Sequence, residues 1–171
     1  YCSNLTSVVI GDSVTTIGSQ AFYSCSSLTS VVIGDSVTYI GENAFFNTAY
    51  YNDKTNWENG VLYIGDYLIK AKTSINGTYM VKEGTKLIAS YAFRDAYNLK
   101  EVIIPASVAY ISGYTFYDCT QLTIYCETES EPSGWVSGWN CFCPVVWDCN
   151  NNEVAHNGYI YTIIDEIRYA L

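Results

Sequence analysis

Seven cysteines and a single histidine carry most of the reactive chemistry in this sequence. Cys126, Cys141, Cys143 and Cys149 lie close together, and four thiolates make a zinc ligand set. Their spacing, C-x14-C-x-C-x5-C, lacks the paired C-x2-C of zinc modules. A structural zinc, one local disulfide and free thiols are the three states to weigh, and no bound metal is expected. Cys2, Cys25 and Cys119 recur at one repeat position, which suits a column of small buried thiols. His156 sits between Ala155 and Asn157 before a glycine and reads as a surface-loop imidazole. No G-x-S-x-G motif occurs to supply a nucleophile for it. Glu127, Glu129 and Glu131 alternate along one segment and read as a solvated edge. Asp12, Asp35, Ser13, Ser36 and Ser107 read as turn residues, since calcium needs a denser carboxylate loop. The expectation is no catalytic residue and no cofactor.

Composition points the same way. Seventeen acidic residues against 8 basic ones give a net charge of -9. Without a basic cluster there is nothing to neutralise phosphates, so nucleic acid is not an expected partner. No apolar run approaches the roughly 20 residues that span a bilayer, so this segment is not expected to insert into a membrane. At 171 residues the chain has the length of one ordinary domain, and its 49% apolar content argues against global disorder. What remains is 17 Tyr, 4 Trp and 6 Phe among only 15% charged residues, a composition that suits binding better than catalysis.

Those residues are positioned by a repeat. Residues 2–24 read CSNLTSVVIGDSVTTIGSQAFYS and residues 25–47 read CSSLTSVVIGDSVTYIGENAFFN, identical at 17 of 23 positions. A third copy spans 96–118, and 79–95 is a partial one whose Ala92-Phe93 precedes Thr115-Phe116 by 23 residues. A unit of this length cannot bury its own apolar face, so neighbouring copies must stack as a solenoid. Leu5-x-x-Val8-x-Ile10 supplies a strand, Gly11-Asp12-Ser13 a turn, and Val14-x-x-Ile17 a second short wall. Gln20-Ala21-Phe22-Tyr23 is expected to form one helical turn with Phe22 as a core plug. Leu5, Leu28 and Leu99 should form one buried column, and Phe22, Phe45, Phe93 and Phe116 another. Between the copies, Val61–Ile64, Gly65-Asp66 and Tyr67–Ile69 predict a β-hairpin.

The unit L-T-S-V-x-I-x-x-S-V-x-x-I-G-x-x-A-F-x-x-C resembles the BspA-type leucine-rich repeat of bacterial surface proteins. Asn59–Lys72 is similar to an insertion common in that family, and residues 122–147 to its array-ending segment. The resemblance implies an α/β repeat solenoid, predominantly β. It would be a right-handed leucine-rich-repeat superhelix with a parallel strand ladder and short helical turns. Residues 1–149 form the solenoid, with the hairpin insertion at about 49–78 and the array-ending segment at 119–149. Residues 150–171 read as a C-terminal hairpin, the entry to a following repeat block. The chain opens inside a repeat without a methionine and reads as a fragment of something longer. The family implies a non-enzymatic module of a cell-surface or secreted protein, mediating adhesion or binding to a host or matrix protein. A carbohydrate-binding module is the alternative.

Two surfaces are candidate sites. The outward strand positions Ser7, Val9, Ser30, Val32, Met80, Glu101, Ile103 and Tyr125 would form one row on the strand face, and an exposed apolar row hints at contact. For a glycan, Tyr50, Tyr51 and Trp57 of the insertion are the candidate stacking rings. The sequence around Tyr125 runs one residue early relative to the repeat, and a one-residue slip reverses every side chain in a strand. A one-residue deletion in the bend after Leu122 would restore the order, with Ile124 and Cys126 inward and Tyr125 outward.

Overall fold

The computed structural model describes residues 2–149. β-branched runs make its strands, and the 23-residue period sets their register. β1 (Ser7–Ile10) pairs in parallel with β3 (Ser30–Ile33), Ser7 against Ser30 through Ile10 against Ile33. β2 (Thr16–Ile17) pairs likewise with β4 (Tyr39–Ile40), so each residue lies beside its equivalent in the next coil. The coils approach so closely that a Cβ at Gly34 would stand 2.5 Å from Asp12 Oδ1, which leaves no room for a side chain there.

The third wall is not helical, contrary to the expectation for Gln20–Tyr23. Gln20, Asn43, Tyr91 and Tyr114 have positive φ, and so do Ser24, Asn47, Asp95 and Asp118 four residues later. A left-handed residue every four positions prevents a continuous i→i−4 ladder. The amides bond across coils instead: Phe22 N donates to Ala44 O (2.7 Å), Ser24 N to Phe46 O (2.9 Å) and Phe93 N to Thr115 O (2.9 Å). The stack forms by backbone pairing on every wall, and the phenylalanine plugs follow it. Phe22 and Phe45 stack at 5.3 Å, Phe93 and Phe116 at 5.1 Å, and Trp139 continues the column, 6.0 Å from Phe116. Leu28, Leu99 and Leu122 are buried, while Leu5 in the first coil is half-buried.

The middle of the chain departs from the repeat. Thr48 caps a one-turn helix, α1 (Ala49–Asn52), its hydroxyl accepting from Tyr51 N at 3.0 Å. A 3-10 turn at Lys54–Asn56 leads to β5 (Trp57–Glu58), β6 (Val61–Ile64) and β7 (Tyr67–Ala71), which form an antiparallel meander. Regular coils resume with β8 (Gly77–Met80), β9 (Leu87–Ile88), β10 (Leu99–Ile104), β11 (Tyr110–Ile111), β12 (Thr123–Cys126) and β13 (Val145–Val146). β7 joins the second wall beside β9, in the order β11-β9-β7-β6-β5. The first wall is thereby split into β1-β3 and β13-β12-β10-β8.

The hairpin is a partition between two hydrophobic cores. Leu62, Ile64, Tyr67 and Ile69 pack with the first two coils, against Leu28, Ile40 and Phe45. Val61, Tyr63, Leu68 and Ala71 pack with the later coils, against Ile88, Phe93 and Val102. Side chains alternate across a strand, so a hairpin wedged between coils needs apolar residues on both faces, which is why its sequence reads as continuous apolar runs. Its tip is tied at a corner: Tyr67 Oη donates to Gly34 O (2.7 Å), and Lys86 Nζ bridges Asp35 (2.8 Å) and Asp66 (3.2 Å).

Candidate functional site

The outward row begins as expected and then changes. In β1 and β3, Ile10 and Val31 are buried while Val9 is 76% and Val32 54% exposed, flanked by exposed Ser7 and Ser30. Two coils therefore present a narrow uncharged strip of valine and serine. β8 is not bonded to β3, so Met80 does not extend that strip through a continuous sheet. In β10 the outward Ile103 is only 3% exposed, which corrects its assignment to an open face. The chain beyond β13 crosses the row, with Asp148 N bonded to Thr128 O (2.8 Å) and Cys149 N to Cys126 O (3.0 Å). This lays Cys149 on Ile103, with Met80 and half-buried Tyr125 packed around the pair. Thr78 and Glu101 are joined by a 2.6 Å hydrogen bond beside this cluster. The register around Tyr125 is that of the shortened bend: Val102 lies opposite Ile124 and Ile103 opposite Tyr125, with Ile124 and Cys126 buried.

Tyr50, Tyr51 and Trp57 are not free platforms. Tyr50 Oη donates to Tyr63 O (3.0 Å) and Trp57 Nε1 to Tyr51 O (2.7 Å). Tyr51 packs edge-on against Trp57 at 5.1 Å, and Lys72 Nζ covers the Trp57 ring. All three are half-buried against the first core, and burial pushes both tyrosine hydroxyls above their ordinary range. The polar tips of Tyr50 and Trp57 that would orient a sugar are engaged internally.

The exposed rings lie elsewhere, on the wall of left-handed turns. Tyr91 and Tyr114 stack at 5.5 Å, and Arg94 lies over both Tyr91 (5.4 Å) and Tyr117 (5.5 Å) while pairing with Glu42 (3.2 Å). Tyr97, Tyr114 and Tyr117 are exposed around it. Tyr91 and Tyr114 occupy the positive-φ position that Gln20 and Asn43 fill in the first two coils. A bulky residue in the left-handed region is uncommon, and the sequence signal was there in the change of residue type at that repeat position. Phe142 is fully exposed because the last coil carries one extra residue: Cys143, not Phe142, packs beside Cys119, its Sγ 3.5 Å from Cys119 O.

No disulfide forms among the described residues, and no three of their His, Cys, Asp or Glu side chains converge on a point that could hold a metal. His156 lies outside the described residues. Burial raises Cys119 to about 12 and Cys143 to about 11, and raises Cys126 as well. A thiol raised above its unfolded value of about 8.5 stays neutral in the fold while the unfolded chain ionises. Stability is therefore expected to fall as pH rises from about 8.5 towards those values, a shift that thermal melts from pH 7 to 10.5 would register. At pH 8, a thiol reagent should modify exposed Cys2 rapidly and half-buried Cys141 slowly. Cys25, Cys119, Cys126, Cys143 and Cys149 should react only after denaturation, as mass spectrometry of the labelled peptides would show.

The family model for the BspA type leucine rich repeat region matches residues 1–123 in six copies. A leucine-rich repeat protein from Eubacterium ventriosum ATCC 27560, known from a crystal structure, is 16% identical with a TM-score of 0.30. The match covers 84% of this chain and 66% of that one, so the chain spans slightly less than two thirds of that protein's length. No curated protein matches.

Proposed function

This chain belongs to the BspA type leucine-rich repeat family, and we propose that it is a non-enzymatic protein-interaction module whose contact surface is the open strand face of its first two coils. The observation that carries this is the exposed Val9 and Val32 pair on parallel strands whose backbone is held in register. Large apolar side chains fixed on a rigid uncharged face lose little entropy and shed ordered water when covered. The partner class is a protein of the host or its matrix, and the setting a bacterial surface or secreted protein, as the family resemblance implies. No helix among the described residues is long and apolar enough to cross a membrane. Support for a non-enzymatic role comes from the strand and turn positions, which carry Ser, Thr and Val, and from thiols that burial keeps protonated.

A glycan-binding reading draws on a different observation, the exposed Tyr97, Tyr114 and Tyr117 of the turn wall. The two readings separate in one experiment. The chain is tested against immobilised purified matrix proteins and against a glycan array, alongside Val9→Asp, Val32→Asp and Tyr114→Ala. The aspartate variants are expected to keep stability within about 0.5 kcal/mol, as exposed sites do, and to weaken binding to a matrix protein at least tenfold. Glycan binding lost on Tyr114→Ala, with no matrix protein bound, would replace the first reading by the second. Protein binding indifferent to both aspartates would remove this face.

A further inference from the structure

The interrupted first wall leaves two sheet edges facing one cleft. β8 is the terminal strand of its four-stranded sheet and β5 the terminal strand of its five-stranded sheet. A cleft of about 490 Å³ lies between them, lined by Glu58 and Asn59 on one side and by Tyr79, Met80, Val81, Lys82 and Glu83 on the other. That volume falls within the roughly 300–1,000 Å³ of clefts that take small ligands.

The backbone of β8 is oriented for pairing into this cleft. Gly77 N bonds to Asn98 O (3.1 Å) and Val81 N to Ile103 O (3.0 Å), so the odd-numbered residues face β10. In a parallel ladder alternate residues address opposite neighbours, which turns the N–H and C=O of Thr78 and Met80 to the outer side. Neither backbone group has a partner among the described residues, and both residues are half-exposed. An edge of this kind is a template for another strand. Across the cleft Lys82 pairs with Glu58, which ties the two edges together, and Glu83 leaves carboxylates in excess over ammonium groups in the lining. Tyr79 in the lining is held by its hydroxyl, which bonds to that of Tyr63 at 3.0 Å.

We propose that this cleft binds an extended segment of a protein partner that carries no acidic side chain there, as an added strand on the outer edge of β8. Backbone bonds from Thr78 and Met80 hold it, and alternate side chains enter the cleft beside Tyr79. This rests on the protein-interaction reading above but assigns a second site, distinct from the Val9 and Val32 strip. Recognition is by main chain, so it tolerates varied sequences that are extended and carry no carboxylate at the cleft, the mode of strand addition at sheet edges.

The test uses the full chain and phage-displayed random octapeptides, with the selected peptides then synthesised. Met80→Pro removes the outward N–H and leaves the bonds to β10 in place, and proline is tolerated on an edge strand. Met80→Ala removes the side chain and keeps the N–H. Selected peptides are expected to lose at least tenfold in affinity to Met80→Pro and less than threefold to Met80→Ala. N-methylation of the peptide should abolish binding at alternate residues only. Thr78→Pro against Thr78→Val repeats the comparison should Met80→Pro unfold, with near-ultraviolet circular dichroism reporting the fold. Val9→Asp and Val32→Asp should leave these peptides bound. Equal binding to the proline and alanine variants, no alternation on N-methylation, or no selected peptide would overturn the proposal. Peptides lost on Val9→Asp but not on Met80→Pro would overturn it while leaving the strand-face reading standing.

Discussion

Phe93→Ala is expected to destabilise the chain by about 3–5 kcal/mol, the cost of truncating a fully buried aromatic to leave a cavity. Phe93 is completely buried, stacks on Phe116, tilts against Tyr79 at 5.8 Å and belongs to the larger of the two cores. A stack of coils has no means of collapsing around the missing ring, because the flanking turns are held by Phe93 N to Thr115 O and Asp95 N to Tyr117 O. Phe22→Ala should cost less than half as much, since Phe22 is half-buried in the first coil and stacks on Phe45 from one side. Urea unfolding of the two variants measures the difference. Equal losses would mean that the column does not carry the packing assigned to it.

The second large effect belongs to the hairpin. Leu62→Ala and Leu68→Ala should each cost about 2–5 kcal/mol, as buried leucines do. Both are fully buried, yet Leu62 faces the first core and Leu68 the second. They lie on adjacent strands with their side chains on opposite faces, in clusters with no common member. Substitutions that share no partner add, so the double variant is expected to lose the sum within about 0.5 kcal/mol. A coupling above 1 kcal/mol in the urea-derived cycle would show that the hairpin does not separate two cores. Leu62→Ala is also expected to expose the amides of the first two coils to exchange more than those of the later ones, because in a repeat stack each coil leans chiefly on its neighbours.

A periodic sequence declares which residues are equivalent. The 23-residue spacing was enough to align Phe22 with Phe45 and Phe93 with Phe116 and to assign a parallel ladder, because a solenoid converts sequence period directly into spatial neighbour, but the expected single columns of leucine and phenylalanine are divided by the hairpin. It was enough to argue the Tyr125 register as well, since the facing of a strand follows from counting by twos. The hairpin was legible as a hairpin from Gly65-Asp66 between apolar runs.

Its position was not legible. Apolar residues on both faces of β6 and β7 do not say which two groups of coils they divide, and that division is what leaves β5 and β8 with open edges. Equivalence also fails wherever chain from outside the period lies on the stack. Val9, Val32 and Ile103 share one repeat position, yet Ile103 is covered by Cys149, which is distant in sequence. Phe142 lies 23 residues after Cys119, yet Cys143 packs beside Cys119 and Phe142 is exposed. Tyr50, Tyr51 and Trp57 looked exposed because polar residues surround them, but Tyr50 and Trp57 fold back to satisfy their own O–H and N–H groups, and Tyr51 packs against Trp57. The sequence by itself determined the repeating core, because period and side-chain alternation are properties of local geometry. Which parts of the surface stay open was decided only in the tertiary structure, because exposure depends on what else in the chain comes to rest there.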